Sequence, residues 1–419
     1  MRFFYTTIFY LITPLLLLRL LWRGIKAPAY LQRWLERFGF FSALPVKNCL
    51  WVHAVSMGEV QAAISMIQAL QIKFPQQPIL ITTMTPTGSQ RVKEVFGNKV
   101  WHVYLPYDLP GSITRFLVRT KPSLLILMET ELWPNLLHAC KDIPIVLANA
   151  RLSANSAKGY KHIAKLTKQM LNNITIIAAQ TRTDANRFIQ LGVDSNKIRI
   201  TGSIKFDTNP SIFENSLRQQ WGSNRKVWIA ASTHSGEEEI VLEVFKKLKQ
   251  EFKDLLLVLV PRHPERFNQV AKLCEQHGFN TTRRTENNVD TNTEIYLADT
   301  MGELAMLYNT ADVAFVGGSL VPVGCHNLLE PAMASIPVVM GSYVFECADI
   351  CRELLEAKAA RKINNFEQLY QTIKLYLNDT ELAKKTGKNG QLFVKKNKGA
   401  LQRLLNLIYT LMFDKLDYN

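Results

Sequence analysis

The order of apolar and polar positions along the chain predicts alternating strands and helices. Residues 49–55 form a short apolar run that is interrupted at residues 56–58, and from Val60 onwards apolar residues recur at helical spacing. Further apolar runs predict strands at residues 79–83, 100–104, 124–128, 144–148, 174–179 and 198–201. Strands that alternate with helices at this spacing are typical of a mostly parallel sheet with helices on both faces. We therefore expect a doubly wound α/β domain in the first half of the chain.

A second domain of the same kind is predicted after residues 206–222, which show little periodicity and are interpreted as a linker. The alternation restarts with predicted strands at residues 227–231, 255–260, 294–297, 311–316 and 337–340. Predicted helices cover residues 237–252, 264–276, 303–308, 328–334, 345–356 and 366–376, and a last helical region covers 380–413. The predicted fold class is therefore α/β, with two Rossmann-like doubly wound domains and a cleft between them.

The first residues have the composition of a membrane anchor. Residues 3–18 form an almost entirely apolar run. This run is shorter than the roughly 20 residues that a spanning helix needs, and it is more aromatic than a typical signal peptide. Basic residues follow this run, at Arg19, Arg23, Lys26, Arg33 and Arg37. Their position predicts an uncleaved anchor in the cell inner membrane, with the rest of the chain on the cytoplasmic side. A spanning helix, a helix in the membrane interface and a buried core helix remain open alternatives.

The composition of the chain predicts an anionic partner. The chain has 419 residues, of which 47% are hydrophobic and 20% charged, and a formal net charge of +15. This excess predicts binding to nucleic acid, anionic lipid or a phosphorylated substrate, although a solvated basic surface also accounts for it. The six cysteines are scattered without a CxxC pair, which is typical of reduced packing residues and disfavours a zinc site.

Glu59 stands where the first predicted strand of the sheet passes into a helix. Parallel sheets present functional groups at this edge, so the Glu59 carboxylate can act as a base on an acceptor hydroxyl. The alternative is structural, because Ser56 and Glu59 have the spacing of a capping box. Taken alone, the spacing leaves both interpretations open and favours the capping box.

Three more polar residues follow predicted strands of the first domain. Glu129 and Glu131 come after residues 124–128, and Lys205 comes after residues 198–201. The carboxylates can take part in catalysis or cap the helix that starts near Pro134. Lys205 can hold an anionic sugar or a developing charge, or lie on the surface. The chain contains no Asp-x-Asp pair, which disfavours a metal site.

In the second domain, two segments are candidate anion sites. Arg262 follows a predicted buried strand and can grip a phosphate with two parallel hydrogen bonds, whereas the adjacent His263 is more often structural. Thr300 is the predicted cap of a helix whose first amides, at Met301 and Gly302, can face an anion. Glu303 fits a capping box or a ribose contact.

The most specific segment of the second domain is residues 316–331, which contain a glycine-rich loop; the alternative is a plain loop between a strand and a helix. The segment leads from a predicted strand into a helix with Asn327 near its start. Glycines allow a close backbone approach, and the helix dipole favours a phosphate there. Glu330, one turn further on, can accept hydrogen bonds from ribose hydroxyls.

Together, these motifs resemble the Kdo transferases, the 3-deoxy-D-manno-octulosonic acid transferases of lipopolysaccharide assembly. They are Trp-Val-His-Ala-Val-Ser-Met-Gly-Glu at 51–59, Met-Glu-Thr-Glu-Leu-Trp-Pro-Asn at 128–135, Gly-Ser-Ile-Lys-Phe-Asp at 202–207, Pro-Arg-His-Pro at 261–264, Phe-Val-Gly-Gly-Ser at 315–319 and His-Asn-Leu-Leu-Glu-Pro at 326–331. The resemblance covers nearly the whole chain, and the ordered set is more specific than any single motif. One departure is Cys325, since the family pattern usually has glycine before the histidine.

The resemblance implies a GT-B fold and transfer of Kdo from CMP-Kdo to the lipid A precursor lipid IVA, with inversion, without a metal ion and without a cofactor other than the donor. It implies that Glu59 is the general base and that Lys205, with Glu129 or Glu131, stabilises the transition state. The implied CMP contacts are Pro261, Arg262, Met301, Gly302, Glu303, Asn327, Leu328, Leu329 and Glu330. The implied partners are CMP-Kdo, lipid IVA and an anionic lipid surface, with no nucleic acid.

The expected domains combine the pattern along the chain with this resemblance. Residues 1–26 are the anchor, 27–205 the acceptor domain, 206–222 the linker and 223–419 the CMP-Kdo-binding domain, with the option that the terminal helix packs back on the N-terminal domain. Another GT-B nucleotide-sugar enzyme, such as an epimerase or a transferase with a different donor, is the enzyme alternative. A membrane-anchored basic binding protein is the non-enzyme alternative.

Overall fold

The structure, a computed structural model, describes residues 1–207, 216–286, 290, 292–345 and 347–416. The chain divides into two compact units. The first comprises Met1–Thr208 with Lys398–Asn419, and the second comprises Asn209–Asn397. Each unit contains a seven-stranded sheet, which confirms the predicted α/β class.

The sheet of the first unit is parallel and buried on both faces. Its strands are β1 Cys49–His53, β2 Ile79–Thr83, β3 Trp101–Tyr104, β4 Pro122–Met128, β5 Ile145–Ala150, β6 Ile176–Ala179 and β7 Ile198–Ile200. Their order is β3-β2-β1-β4-β5-β6-β7, and every predicted strand of this unit is present. Apolar strands are required because helices cover both faces of such a sheet, with Leu50 packing on one face and Trp51 on the other.

Eight α-helices precede the second unit. They are α1 Arg2–Lys26, α2 Met57–Lys73, α3 Pro86–Phe96, α4 Pro110–Thr120, α5 Pro134–Ala139, α6 Ala154–His162, α7 Ala164–Asn172 and α8 Arg182–Gln190. Short 3-10 segments lie at Pro28–Leu31, Trp34–Phe38, Gly97–Lys99, Ser195–Lys197 and Ile204–Asp207.

Helix α1 is the one helix of the described residues that is long and apolar enough to cross a membrane, over Arg2–Ile25. One side of it packs on the unit, where Leu20 is buried and the Thr6 hydroxyl donates to Asn135 Oδ1 at 3.1 Å. The other side is open, with Phe3 86% and Ile25 80% exposed. This exposure contradicts the alternative of a buried core helix.

The sheet of the second unit is also parallel. Its strands are β8 Val227–Thr233, β9 Leu256–Pro261, β10 Thr281–Arg283, β11 Ile295–Leu297, β12 Val313–Val316, β13 Val338–Met340 and β14 Ala360–Lys362, in the order β10-β11-β9-β8-β12-β13-β14. Strands β10 and β14 are not predicted by the apolar pattern of the sequence. Both are three-residue edge strands with a polar or exposed side, so they lack the apolar run by which the central strands are recognised.

The helices of the second unit are α9 Ser216–Trp221, α10 Glu237–Lys249, α11 Phe267–Gln276, α12 Leu304–Tyr308, α13 Leu329–Met333, α14 Ala348–Glu356, α15 Phe366–Asn378 and α16 Thr380–Asn397, with 3-10 segments at Pro264–Arg266 and Arg284–Glu286. Helix α9 corrects the predicted linker at residues 206–222. Leu217 and Trp221 are buried in the second unit, and Phe206 is buried in the first. Residues 208–215 of that linker lie outside the described residues.

The last helix, α17 Ala400–Leu416, packs on the first unit, where Leu404 and Ile408 join the core beside α2. The helical region predicted over residues 380–413 is therefore confirmed as helical, but it divides into α16 and α17. Gly399 breaks it with φ of 90°, a conformation that glycine adopts without strain. The Asp207 carboxylate accepts hydrogen bonds from Gly399 N at 2.6 Å and Leu401 N at 2.7 Å, and so fixes the start of α17.

Candidate active site

The order of the first sheet reverses between β1 and β4, which are hydrogen-bonded neighbours. Loops that leave such a pair of strands diverge to opposite faces, and the crevice at the carboxyl ends is the usual ligand position in doubly wound sheets. The loop after β1 carries Glu59, and the loop after β4 carries Glu129 and Glu131. The fold thus brings together carboxylates that are 70 residues apart in the sequence.

Glu59 is held by the turn in which it lies. Its Oε2 accepts from Val55 N at 2.9 Å, and the Ser56 hydroxyl donates to Oε1 at 3.0 Å. Ser56 in turn caps α2 by accepting from Glu59 N at 3.4 Å. The helix cap by Ser56 that was predicted for this pair is therefore present, but the full capping box is not, because Glu59 folds back to the amide of Val55 and not to that of Ser56. These contacts hold the Glu59 carboxylate at the edge of the sheet.

The pKa of Glu59 is raised to about 7, chiefly by burial and in smaller part by the nearby carboxylates of Glu131 and Glu129, against the hydrogen bonds from Val55 and Ser56. A group with a pKa near neutrality is suited to accept a proton from a hydroxyl at physiological pH. Burial also raises the pKa of Glu131, whose Oε2 accepts from Trp133 Nε1 at 2.9 Å. The buried Glu59 carboxyl group therefore has a pKa suited to proton transfer near pH 7.

Lys205 pairs with Glu129. Its Nζ lies 2.9 Å from Glu129 Oε1, and both side chains are partly exposed. Glu129 has φ of 56°, a left-handed conformation that is rare outside glycine and that tends to occur at functional sites. Lys205 lies in Ile204–Asp207, which is fixed by Ile204 N donating to Asn149 Oδ1 at 3.1 Å. The four predicted catalytic residues thus all follow strands of the first sheet, at the carboxyl ends of those strands. They are Glu59, Glu129, Glu131 and Lys205.

In the second unit, Arg262 lies at the corresponding edge. It follows Pro261, the last residue of β9, and its amide donates to Thr233 O of β8 at 3.0 Å. The guanidinium group lies close enough to Glu330 to lower the pKa of that carboxyl, which burial raises more strongly. Glu330 accepts from Asn327 Nδ2 at 2.9 Å, and Asn327 Oδ1 accepts from Leu329 N at 3.0 Å. Arg262 and the residues 327–330 therefore lie near one another.

The glycine-rich loop differs from the expectation. Its amides at Gly318, Ser319 and Leu320 do not face an open site, because they donate to the carboxylate of Glu237 at 2.7, 3.0 and 2.9 Å. Gly317 is needed for this packing, since an added Cβ would lie 2.5 Å from Ser232 O. The expectation that these loop amides hold a phosphate is therefore wrong, and the glycines serve the close contact between two loops.

The segment at residues 300–303 differs as well. Helix α12 begins at Leu304, and the Thr300 hydroxyl donates to the Glu303 carboxylate instead of capping the helix. Glu303 also forms a two-pronged ion pair with Arg284, which lowers its pKa. Within the described residues, the amides of Met301 and Gly302 have no intramolecular partner. The expected role of these two amides as an anion site stays a prediction, whereas Glu303 already has a strong partner.

Sequence reasoning missed three residues of these sites. Glu237 opens a helix, where an acidic residue usually has only a helix-dipole role. Arg284 lies beside an edge strand that has no apolar signal. His234 directly follows strand β8. Arg262 was recognised because it follows a predicted strand, and the same criterion would also have pointed to His234. No group of three or more His, Cys, Asp or Glu side chains in the described part of the chain is arranged to hold a metal ion.

Comparison with known proteins gives two family matches. The family described as 3-deoxy-D-manno-octulosonic-acid transferase (kdotransferase) matches residues 32–208, and the family of glycosyl transferases group 1 matches residues 214–393. A 3-deoxy-D-manno-octulosonic acid transferase from Haemophilus influenzae is 44% identical over 97% of this chain and 98% of its own length.

Among solved structures, the C-terminal CMP-Kdo binding domain of an Acinetobacter baumannii protein is 33% identical, with a TM-score of 0.42 over 46% of this chain and 98% of that domain. A putative UDP-N-acetylglucosamine 2-epimerase from Listeria monocytogenes has a TM-score of 0.61 at 13% identity, over 88% of this chain and 98% of its own. At that identity the likeness shows the fold alone, which is of the GT-B class. Because the Haemophilus influenzae relative is similar across nearly its full length, the chain belongs to the 3-deoxy-D-manno-octulosonic acid transferase family of lipopolysaccharide biosynthesis.

Proposed function

We propose that this chain transfers Kdo from CMP-Kdo to the lipid A precursor lipid IVA, with inversion at the anomeric carbon and without a metal ion in the transfer step. Family membership supports the transferred sugar. The observation that carries the proposed mechanism is the buried Glu59 carboxylate, whose pKa of about 7 suits a general base.

In the proposed reaction, Glu59 takes the proton from an acceptor hydroxyl while the oxygen forms a bond to the anomeric carbon of Kdo. The bond from that carbon to the phosphate oxygen breaks, and cytidylate leaves with the electron pair. Attack from the face opposite the leaving group inverts the anomeric configuration. Lys205, held by Glu129, supplies positive charge for the anionic sugar, and Glu131 helps to keep the pKa of Glu59 high.

For the donor, we propose contacts in the second unit. Arg262 is suited to the phosphate, since its guanidinium donates in a fixed fork geometry. The free amides of Met301 and Gly302 are suited to an anion or to a hydroxyl oxygen. Asn327, Leu328, Leu329 and Glu330 remain proposed nucleotide contacts by family likeness, as do Pro261 and Glu303.

We further propose that the protein is held at the cytoplasmic side of the inner membrane by α1. The exposed apolar side of this helix and the basic residues after it suit an anionic lipid surface, where each basic residue contributes about 1 kcal/mol. The packed side of the helix favours an interfacial position, because the contact of Thr6 with Asn135 keeps its first turns on the protein.

The experiment that tests this function is a transfer assay with the purified protein, lipid IVA and CMP-Kdo, analysed by mass spectrometry of the lipid product. A product heavier than lipid IVA by one or more Kdo units is expected, and the mass also gives the number of units added. Parallel reactions with UDP-N-acetylglucosamine test the epimerase alternative. No Kdo-containing lipid, or turnover of the UDP-sugar alone, would overturn the proposal.

A further inference from the structure

Three histidines of the second unit meet at the carboxyl ends of its central strands. His234 follows β8, His263 follows β9, and His326 lies in the loop after β12. Because β8 is the neighbour of both β9 and β12, three separate loops bring the rings together. The ring centroids of His234 and His326 are 5.0 Å apart, and those of His234 and His263 are 5.2 Å apart.

The contact between His234 and His326 determines where one proton lies. Their Nε2 atoms are 2.7 Å apart, so one nitrogen donates and the other accepts. The accepting ring, when neutral, carries its proton on Nδ1, which leaves that N–H as a donor. Neither Nδ1 has a hydrogen-bond partner within the described residues. The pair therefore has an unused donor at the carboxyl edge of the sheet.

Both rings of the pair are neutral at pH 7. Burial lowers the pKa of His234 to about 4 and that of His326 to about 3, and the charge of Arg262 contributes to both shifts. A neutral imidazole can donate to an anion without the cost of a buried cation. Positive charge is supplied by the Arg262 guanidinium, which has no hydrogen-bond partner in the described part of the chain.

The nearby carboxylates already have partners of their own. Glu237 accepts four backbone amides, and Glu238 is 2.5 Å from Arg266. Glu330 is bonded to Asn327. The remaining one, Glu265, is 75% exposed and lies 3.9 Å from His263, beyond hydrogen-bonding distance. The unused donors thus face no internal acceptor that would satisfy them.

We infer that His234 and His326 form, with Arg262, an anion subsite that receives an oxyanion group of the sugar-nucleotide donor. The identity of the donor rests on the proposed function, whereas the subsite is a property of the second unit. The donor offers two such groups, the phosphate of the nucleotide and the carboxylate of the sugar acid, and both accept N–H hydrogen bonds in the same way. The two histidines are binding residues in this account.

The test measures the affinity of the full-length protein for cytidine, CMP and free Kdo by NMR titration, in the parent and in the variants His234→Gln and His326→Gln. His277→Gln is the matched control, because His277 lies outside the cluster and pairs with Glu243 at 3.4 Å. We expect either variant to bind CMP about tenfold more weakly with unchanged affinity for cytidine, which identifies the phosphate as the ligand group. A loss for Kdo with unchanged CMP affinity identifies the carboxylate.

Two results would overturn the subsite. One is unchanged affinity for both CMP and Kdo in both variants. The other is an equal loss for cytidine and CMP, because distortion of the loop would weaken both ligands alike. The transfer assay is a separate measurement, since an enzyme that binds CMP through these histidines but makes no Kdo-lipid would contradict the proposed function and leave the subsite standing.

Discussion

At the scale of single residues, the contacts of Glu59 within its turn are compatible with its proposed role as a base. Ser56 and Val55 hold its carboxylate by two hydrogen bonds, which favour the charged form, while burial and the carboxylates of Glu131 and Glu129 favour the protonated form. The local sequence contains the first effect as a spacing of residues. The local sequence cannot reveal the rise in pKa caused by Glu131, because Glu131 follows a different strand and lies 72 residues later in the chain.

A pH profile of kcat/KM checks this balance. Glu59 acts as a base only when deprotonated, so activity is expected to fall as pH falls through about 7. Glu131→Gln removes a neighbouring negative charge and should move the midpoint of this limb to lower pH. The exposed Glu94→Gln is the control and should leave the midpoint in place. A parent profile that is flat between pH 6 and 8 would contradict Glu59 as the titrating base.

Arg262 has its own prediction at this scale. Arg262→Ala is expected to raise the donor KM about 10- to 100-fold, because a hydrogen bond to a charged group is worth about 1.5–3 kcal/mol. Arg352→Ala, on the exposed side of α14, is the matched control and should leave donor KM unchanged. Steady-state kinetics with varied CMP-Kdo measures both, and a parent-like KM for Arg262→Ala would remove this residue from the phosphate site.

At the scale of elements, prediction succeeded where burial leaves a pattern in the sequence. The central strands β1, β2, β4 and β5 are mostly apolar runs because both faces of the sheet are covered there. It failed where an element depends on a partner far away in the sequence. The break at Gly399 is fixed by Asp207, and the amides of the glycine-rich loop are taken by Glu237, a residue 81 positions before Gly318. Neither pairing leaves a local signal.

Removing the Glu237 carboxylate tests the loop. In Glu237→Gln, one carboxylate oxygen is replaced by an amide NH₂ group and the other becomes a weaker acceptor, while four backbone N–H groups still point at this buried position. The free energy of unfolding should therefore fall by about 2–3 kcal/mol. Denaturant titration followed by tryptophan fluorescence reports on it, since Trp221 and Trp228 are buried in the second unit. Glu239→Gln, on the exposed side of the same helix, should change stability by less than about 0.5 kcal/mol. Equal midpoints for the two variants would show that the loop is held by other contacts.

At the scale of the whole molecule, the first and last segments of the chain belong to the same compact unit. The first unit takes its last helix, α17, from the end of the chain, and its first helix, α1, carries the exposed apolar side. The net charge of +15 and this helix together suit a membrane surface that contains an anionic lipid acceptor. An anionic lipid partner stays a prediction from composition, whereas the structure shows that one side of α1 is packed on protein.

Vesicle binding tests that account of α1. Leu11→Glu with Leu18→Glu places two charges on its open side, where the leucines are 72% and 60% exposed, and is expected to weaken flotation with vesicles of anionic phospholipid about tenfold or more. Leu392→Glu, 53% exposed on α16, is the apolar-to-acidic control. Equal flotation of the α1 variant and the control would contradict the anchoring role.

The measurement that tests the central claim most directly is single-turnover transfer from CMP-Kdo to lipid IVA by Glu59→Gln, with CMP affinity measured in the same preparation. The account predicts transfer at least about 100-fold slower than in the parent, with CMP affinity unchanged, because the glutamine keeps the shape of the turn but cannot accept the proton. Transfer at the parent rate by a correctly folded Glu59→Gln protein would contradict it.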